Sequence, residues 1–529
     1  MAGGGGLGVV GGELPEGAWS VDRSHFAKPV TRATAALLVG RLAAPACERW
    51  GLPLVGVDFA VDDDGWVYVR DQPVVDPEEV RRRAPAAADT VRTRRWRSEA
   101  ARWISVVRPA VVAELLGLQD EPVDRYDDAR LADHAERAAA TTRRLMDLHM
   151  EIHLTDMVPL GALLAAGAGW GLAPAEVLEL MQGASPASAP SPELVAARAA
   201  TAASGGDGIR NDLPEVSAFL RAEGHHLVSE PEVATASLHE RRDLVEALLR
   251  PSPEPAAPPA GVAGPGDGGA LRSRVPVGER DRFDELLADA LLTYGLRDDN
   301  TRLTAMWPMG LVRRAWLEAG RRLAADDEPD DVFGLEPVEL ADALRRPPGR
   351  AGHLRHAAER QSRRRAAERR DLPPDDVGEW RPTDPALLSE PQRWLSEAFD
   401  AYGMHYSGGT SGAEPLVGVG VAGSLVTGPA VVASSPLDAL DRIDPGRSIL
   451  VVTATAPAYD AVLPLVAGLV VETGGLLCHA ALAGRQLGLP VVVGVAGATR
   501  LVRDGDEVTV DPPAGRVRVS RPASSSPRG

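Results

Sequence analysis

Residues 471–495 read VETGGLLCHAALAGRQLGLPVVVGV. An apolar run ending at Val471 enters the Gly474–Gly475 pair, and a helical stretch follows that stops at Gly488 and Pro490 before a second apolar run begins. Paired glycines free the backbone for a tight turn, and Gly followed shortly by Pro closes a helix. The segment therefore predicts strand, turn, helix over about 478–487, then strand. This order puts His479 at a helix N-terminus, where unsatisfied N–H groups and the helix dipole favour an anion. A neutral imidazole attacks phosphorus without a separate base, and the N–P bond it forms is labile enough to hand the group on. Gly474 and Gly475 let the backbone approach a phosphate, Thr473 and Cys478 offer side-chain donors, and Arg485 is placed to meet phosphate or a neighbouring carboxylate.

The flanking text is of the same kind. LVGVGV (416–421), SLVTGPAVVA (424–433), SILVVTA (448–454), AGLVVE (467–472) and LPVVVGV (489–495) are short glycine-punctuated apolar runs that read as buried strands. They delimit a β-rich α/β domain over 408–520, before a Ser/Pro/Arg tail at 521–529.

TGGLLCHAALAGRQLGLPVVVGV closely resembles the active-site signature of the PEP-utilising enzyme mobile domain, found in PEP synthase, pyruvate phosphate dikinase and rifampicin phosphotransferase. The resemblance extends to VGVGVAGSLVTGPAVV, to TATAPAYDAVLPLVAGLVVE and to ATRLVRDGDEVTVDPPAGRVRV. It implies a β/β/α swivelling domain in which the residue matching His479 is the phosphocarrier. Gly484 stands where the family usually has alanine, Cys478 where serine is commoner, and Leu477 where dikinases and PEP synthases carry threonine. The site is accordingly more similar to the rifampicin phosphotransferase branch. FLRAEGHHLVSEPEV (219–233) resembles that branch's FLxxxGHR element with His226 replacing arginine, and 313–340 resembles the segment preceding its mobile domain.

Upstream, VGVDFAVDDDGWVYVRDQPVV (55–75) alternates apolar and polar residues around a DDDG turn, which predicts a hairpin. From Pro77 to about Met181 the text is helical in composition, and helices resume at 278–299 and 313–327. The expected architecture is multidomain: a glycine-rich disordered tail at 1–16, a mostly helical acceptor-binding region with its hairpin at 17–250, a Pro/Gly-rich linker at 251–270, a helical region at 271–407, and the C-terminal domain. Within the helical region His149 and His153 stand at i, i+4, a metal-ligand spacing with no HExxH glutamate. They are read as acceptor-pocket residues together with His226, and no metal is assigned.

Length and composition bound the rest. A chain of 529 residues exceeds one core. A net charge of −18 argues against nucleic acid or an anionic membrane as partner. The arginine run at 355–370 is interrupted by Glu359 and Glu368 and reads as a solvated helix face. Two distant cysteines, Cys47 and Cys478, form no metal pair or disulfide framework. No signal-like leader precedes Trp19, so a cytoplasmic location is expected.

Family members are charged by an ATP-grasp domain or a PEP-binding barrel, and neither pattern is seen. The resemblance thus implies a phosphotransferase component with no tightly bound cofactor. ATP or PEP with Mg would be held by a separate ATP-grasp subunit, and the phosphoryl group would go to a small-molecule acceptor. The other classes are a non-catalytic regulatory or interaction protein retaining the fold, disfavoured by the intact His479 and its glycines, and a phosphocarrier acting on another protein.

Overall fold

Between Pro77 and Glu179 the Ala/Leu/Arg/Glu-rich text folds as the helices Pro77–Thr93, Arg95–Arg102, Arg108–Gln119, Asp128–Gly169 and Pro174–Glu179. Asp76 caps the first by accepting from Glu78 N, which satisfies one of the donors a helix start leaves over. The computed structural model describes residue 14 and residues 16–520, apart from 24, 27, 182–183, 186–190, 205–211, 229, 250–267, 324–328, 371–372, 374–375, 380, 408–415, 456–458 and 460–461. The expected tails, except at 14 and 16, and the linker at 251–270 up to 267 lie outside the described residues.

The described chain packs as two units. One comprises Met1–Ala162, Leu220–Glu240 and Leu292–Phe399; the other comprises Leu163–Phe219, Arg241–Leu291 and Asp400–Gly529.

In the first unit the expected hairpin is β3 (Leu54–Val61) against β4 (Val67–Pro73), with Asp62 Oδ1 accepting from Asp64 N and Trp66 N to fix the turn. It is part of a larger sheet. β1 (Trp19–Val21), β2 (Gly40–Leu42) and β5 (Asp376–Val377) complete the order β2-β3-β4-β1-β5. Strands of two or three residues carry no readable alternation, and β5 is recruited from far along the chain. The main core of this unit joins the long helix, through Leu131, Ala135 and Ala139, to the helix Trp307–Leu323, through Met309, Val312 and Trp316. Asp128–Gly169 is, among the described residues, the one helix long and apolar enough to cross a membrane, but its most apolar window is 67% buried within the protein, as in a core helix.

The arginine run lies on the helix Arg350–Ala367, where Arg360 pairs with Glu339, Arg364 with Glu368 and Arg365 with Asp331.

In the second unit β6 (Val419–Ala422), β7 (Val426–Val432), β8 (Ile449–Val452), β9 (Gly468–Val471), β10 (Val491–Val493), β11 (Glu507–Asp511) and β12 (Arg516–Ser520) form one sheet in the order β12-β11-β7-β8-β9-β10-β6. β7 to β10 are parallel neighbours, while β6, β11 and β12 pair antiparallel. All four residues of β8 and of β9 are buried, which is why these strands read as unbroken apolar runs. Each buried Ile, Leu or Val contributes roughly 1.5–3 kcal/mol. The architecture is thus a mostly helical N-terminal and central region followed by a C-terminal domain of mixed sheet and helix.

Candidate functional site

β8 and β9 run side by side, so the loops leaving their carboxyl ends meet, the place where open α/β sheets present ligand-binding groups. The loops are stitched together: Glu472 N donates to Val452 O at 2.9 Å, and both Thr473 N and Thr473 Oγ1 donate to Thr453 O, at 3.0 and 2.9 Å. The chain then turns sharply. Gly474 has φ +91°, and a Cβ there would stand 2.8 Å from Cys478 Cβ and 3.0 Å from its Sγ, so both conformation and space demand glycine. Cys478 N donates to Gly475 O at 3.1 Å, and extended Cys478 is the N-cap of the helix His479–Leu487, which ends at left-handed Gly488.

His479 is the first residue of that helix and is half-buried, with its Nδ1 2.9 Å from Thr455 Oγ1 in the loop after β8. No local pattern in the sequence points to Thr455. It precedes His479 by 24 residues, and only the pairing of β8 with β9 brings the two together.

Arg485 is 4% exposed, and its Nη1 donates to Leu476 O at 2.6 Å, so its described contact holds the glycine turn against the helix. Leu477 N donates to His405 O at 3.1 Å, which anchors the same turn to the end of the helix Glu390–Ser407. Thr473, Gly474, Gly475, Cys478, His479 and Arg485 thus share one strand–turn–helix.

His149, His153 and His226 belong to the first unit. His149 Nε2 and His153 Nε2 are 3.1 Å apart; His149 Nδ1 lies 2.9 Å from Thr304 Oγ1 and His153 Nδ1 lies 3.3 Å from Asp156 Oδ1. Burial, added to the neighbouring His and Arg297 charges, holds His149 well below the ordinary histidine range and His153 down at about 3. His226 Nδ1 is 3.0 Å from the Glu223 carboxylate, its ring meets Trp307 edge-on at 5.5 Å, and its Nε2 is buried without a hydrogen-bond partner. Among the described residues no group of three or more His, Cys, Asp or Glu is arranged to hold a metal ion.

Residues 444–515 match the family model described as PEP-utilising enzyme, mobile domain. An uncharacterised protein of Mycobacterium tuberculosis is 31% identical over 475 residues, covering 81% of this chain and 49% of the relative. The rifampicin phosphotransferase of Bacillus cereus is 39% identical over 107 residues, 20% of this chain and 12% of the relative. The phosphoenolpyruvate synthase of Deinococcus radiodurans is 45% identical over 74 residues, 14% of this chain and 9% of the relative. The chain thus spans about half the length of the first relative, 49%, and less of the others. The matched residues lie on the sheet and helix that carry His479, so over 444–515 this chain has the PEP-utilising enzyme mobile domain.

Proposed function

We propose that His479 takes a phosphoryl group onto Nε2 and passes it to a small-molecule acceptor, making the chain a phosphotransferase component. In the first step an N–P bond forms as the donor's P–O bond breaks; in the second the N–P bond breaks as an acceptor oxygen bonds phosphorus. The supporting observation is the pairing of His479 Nδ1 with Thr455 Oγ1 at the start of a helix. When Nδ1 carries the proton and donates it to Thr455, Nε2 is the unprotonated nitrogen, the one that can attack phosphorus. A phosphoryl group at the N-terminus of the site helix meets the N–H groups that the first turn leaves unsatisfied.

Thr473, Gly474, Gly475 and Cys478 shape the phosphate seat in this reading, and Arg485 acts through the turn it holds. The donor is ATP or PEP with Mg2+, bound by an ATP-grasp partner or by a further part of a longer protein. The helical region with His149, His153 and His226 receives the acceptor. The names of the two partial relatives, a phosphotransferase and a PEP synthase, are consistent with phosphoryl chemistry at this level.

The test is to incubate the chain with radiolabelled ATP or PEP and a candidate ATP-grasp protein, and to assay acid-labile, base-stable phosphate. Wild type is expected to be labelled and His479→Ala to remain unlabelled. Equal labelling of the two would defeat the proposal.

A further inference from the structure

Within the first unit, the long helix carries a second arrangement of nitrogen atoms, separate from His479. His149 and His153 stand one turn apart on Asp128–Gly169, with ring centroids 4.5 Å apart and the rings near perpendicular at 87°. The direction of each ring is set by an oxygen behind it. Thr304 Oγ1 donates its own proton to Asn300 O at 2.6 Å, so toward His149 Nδ1, 2.9 Å away, it acts as acceptor. Asn300 Nδ2 also donates to His149 O at 2.9 Å, fixing the backbone from which the ring projects. Asp156 Oδ1, 3.3 Å from His153 Nδ1, is a carboxylate oxygen and likewise accepts. Both rings therefore carry their proton on Nδ1, and both present a lone pair at Nε2.

Those two Nε2 atoms face each other at 3.1 Å. Two lone pairs at that separation repel unless a proton or a metal ion bridges them, and burial beside Arg297 and His25 disfavours the extra proton. Tetrahedral Zn2+ with nitrogen ligands at about 2.0–2.1 Å sets neighbouring nitrogens roughly 3.3 Å apart, close to the spacing found. An oxygen acceptor behind Nδ1 is also the usual outer partner of a metal-bound histidine, since it fixes the tautomer and the ring plane. Arg297 and His25 both place positive charge near the two rings, while the carboxylates of Asp156 and Asp22 stand 3.3 Å from His153 Nδ1 and 2.9 Å from His25 Nδ1.

We propose that His149 Nε2 and His153 Nε2 together bind a divalent transition-metal ion of the Zn2+ class. With two protein nitrogens supplied, the remaining positions are open to water or to an oxygen of a ligand entering the helical region. Imidazole selects Zn2+, Co2+, Ni2+ or Cu2+ over Mg2+ and Ca2+, which prefer oxygen, so this site is distinct from any Mg2+ that accompanies a phosphoryl donor. The inference does not depend on the reading of His479.

The experiment uses the full chain, stripped with a chelator and dialysed. Co2+ is titrated while the visible ligand-field bands are recorded, and Zn2+ is titrated by calorimetry with and without excess Mg2+. Wild type is expected to take up one ion per chain, unaffected by Mg2+, with the high-affinity phase lost in His149→Ala and in His153→Gln. Thr304→Val, which leaves both ligands in place but removes the acceptor behind His149, is expected to weaken binding about tenfold. His479→Ala is expected to bind metal as wild type does. Failure of wild type to take up Zn2+ or Co2+, or uptake unchanged in the histidine variants and in Thr304→Val, overturns the proposal.

Discussion

Thr455 and Gly474 shape the immediate surroundings of His479 in different ways. Gly474 fixes where the helix starts, because its φ of +91° and the Cys478 side chain beside it leave no room for a Cβ. Thr455 stands behind one ring nitrogen, Nδ1. Thr455→Val removes the oxygen behind Nδ1 without altering volume much. It should therefore slow uptake of the phosphoryl group by about tenfold, the equivalent of one hydrogen bond of roughly 1.4 kcal/mol. Thr455→Ser should restore most of the rate. Rapid-quench labelling of both variants checks this, with thermal melting to show that the fold is unchanged; equal rates for Thr455→Val and wild type would remove Thr455 from the mechanism. The glycines were legible in the sequence because a double glycine between an apolar run and a helix marks a turn that larger residues would block. Thr455 was not, because no local pattern marks a threonine whose partner lies beyond the next parallel strand.

At the scale of the element, the site helix His479–Leu487 is held by its packing on β10. A Cβ on Gly484 would stand 2.5 Å from Val491 Cγ2, so the helix lies closer to the sheet than an alanine at 484 permits. This gives a physical reason for glycine at a position where the family usually has alanine. Gly484→Ala is expected to destabilise the C-terminal domain by about 1–3 kcal/mol through overpacking, and Val491→Ala in the same chain should recover part of that loss. Urea unfolding followed by near-ultraviolet circular dichroism measures both. Helix and strand were readable here because Gly488 and Pro490 punctuate them, and the alternation in 55–75 showed its hairpin as plainly. β1, β2 and β5 were not readable, since strands of two or three residues gain their identity from neighbours distant in sequence.

On the scale of the whole molecule, the first unit is assembled from three separated stretches of chain, and buried and half-buried polar contacts join them. Glu232 accepts from Thr31 N, Thr31 Oγ1 and Thr34 Oγ1, at 2.8, 2.7 and 2.9 Å. Arg313 pairs with Glu240 at 2.7 Å, and Glu223 pairs with Arg302 across stretches and with His226 within its own. Burial tends to raise the Glu223 carboxyl, but His226 and Arg302 outweigh it and bring it down to about 2 from an ordinary 4.5. A depressed carboxylate contributes stability above its unfolded pKa and loses it as pH falls toward its folded one. The stability advantage of wild type over Glu223→Gln, on the order of 2 kcal/mol, is therefore expected to be full at pH 6 and to shrink between about pH 4.5 and 2. Denaturant titrations of both proteins across that range check the sign; an advantage that grows in acid would contradict it.

The sequence by itself determined the C-terminal domain, its site helix and the place of His479, because these follow from local rules: apolar runs, glycine turns and helix stops within a few residues of one another. It also showed the His149/His153 spacing, since i, i+4 is a property of one helix. Only the tertiary structure decided that Thr455 stands behind His479, that Arg485 holds Leu476 O, and that Thr304 and Asp156 orient the two helical histidines toward each other. The Thr455 and Thr304 pairings join residues 24 and 155 positions apart. A side chain's direction, and so the tautomer and chemistry of an imidazole, is fixed by whichever oxygen packing brings behind it, and sequence proximity does not encode that.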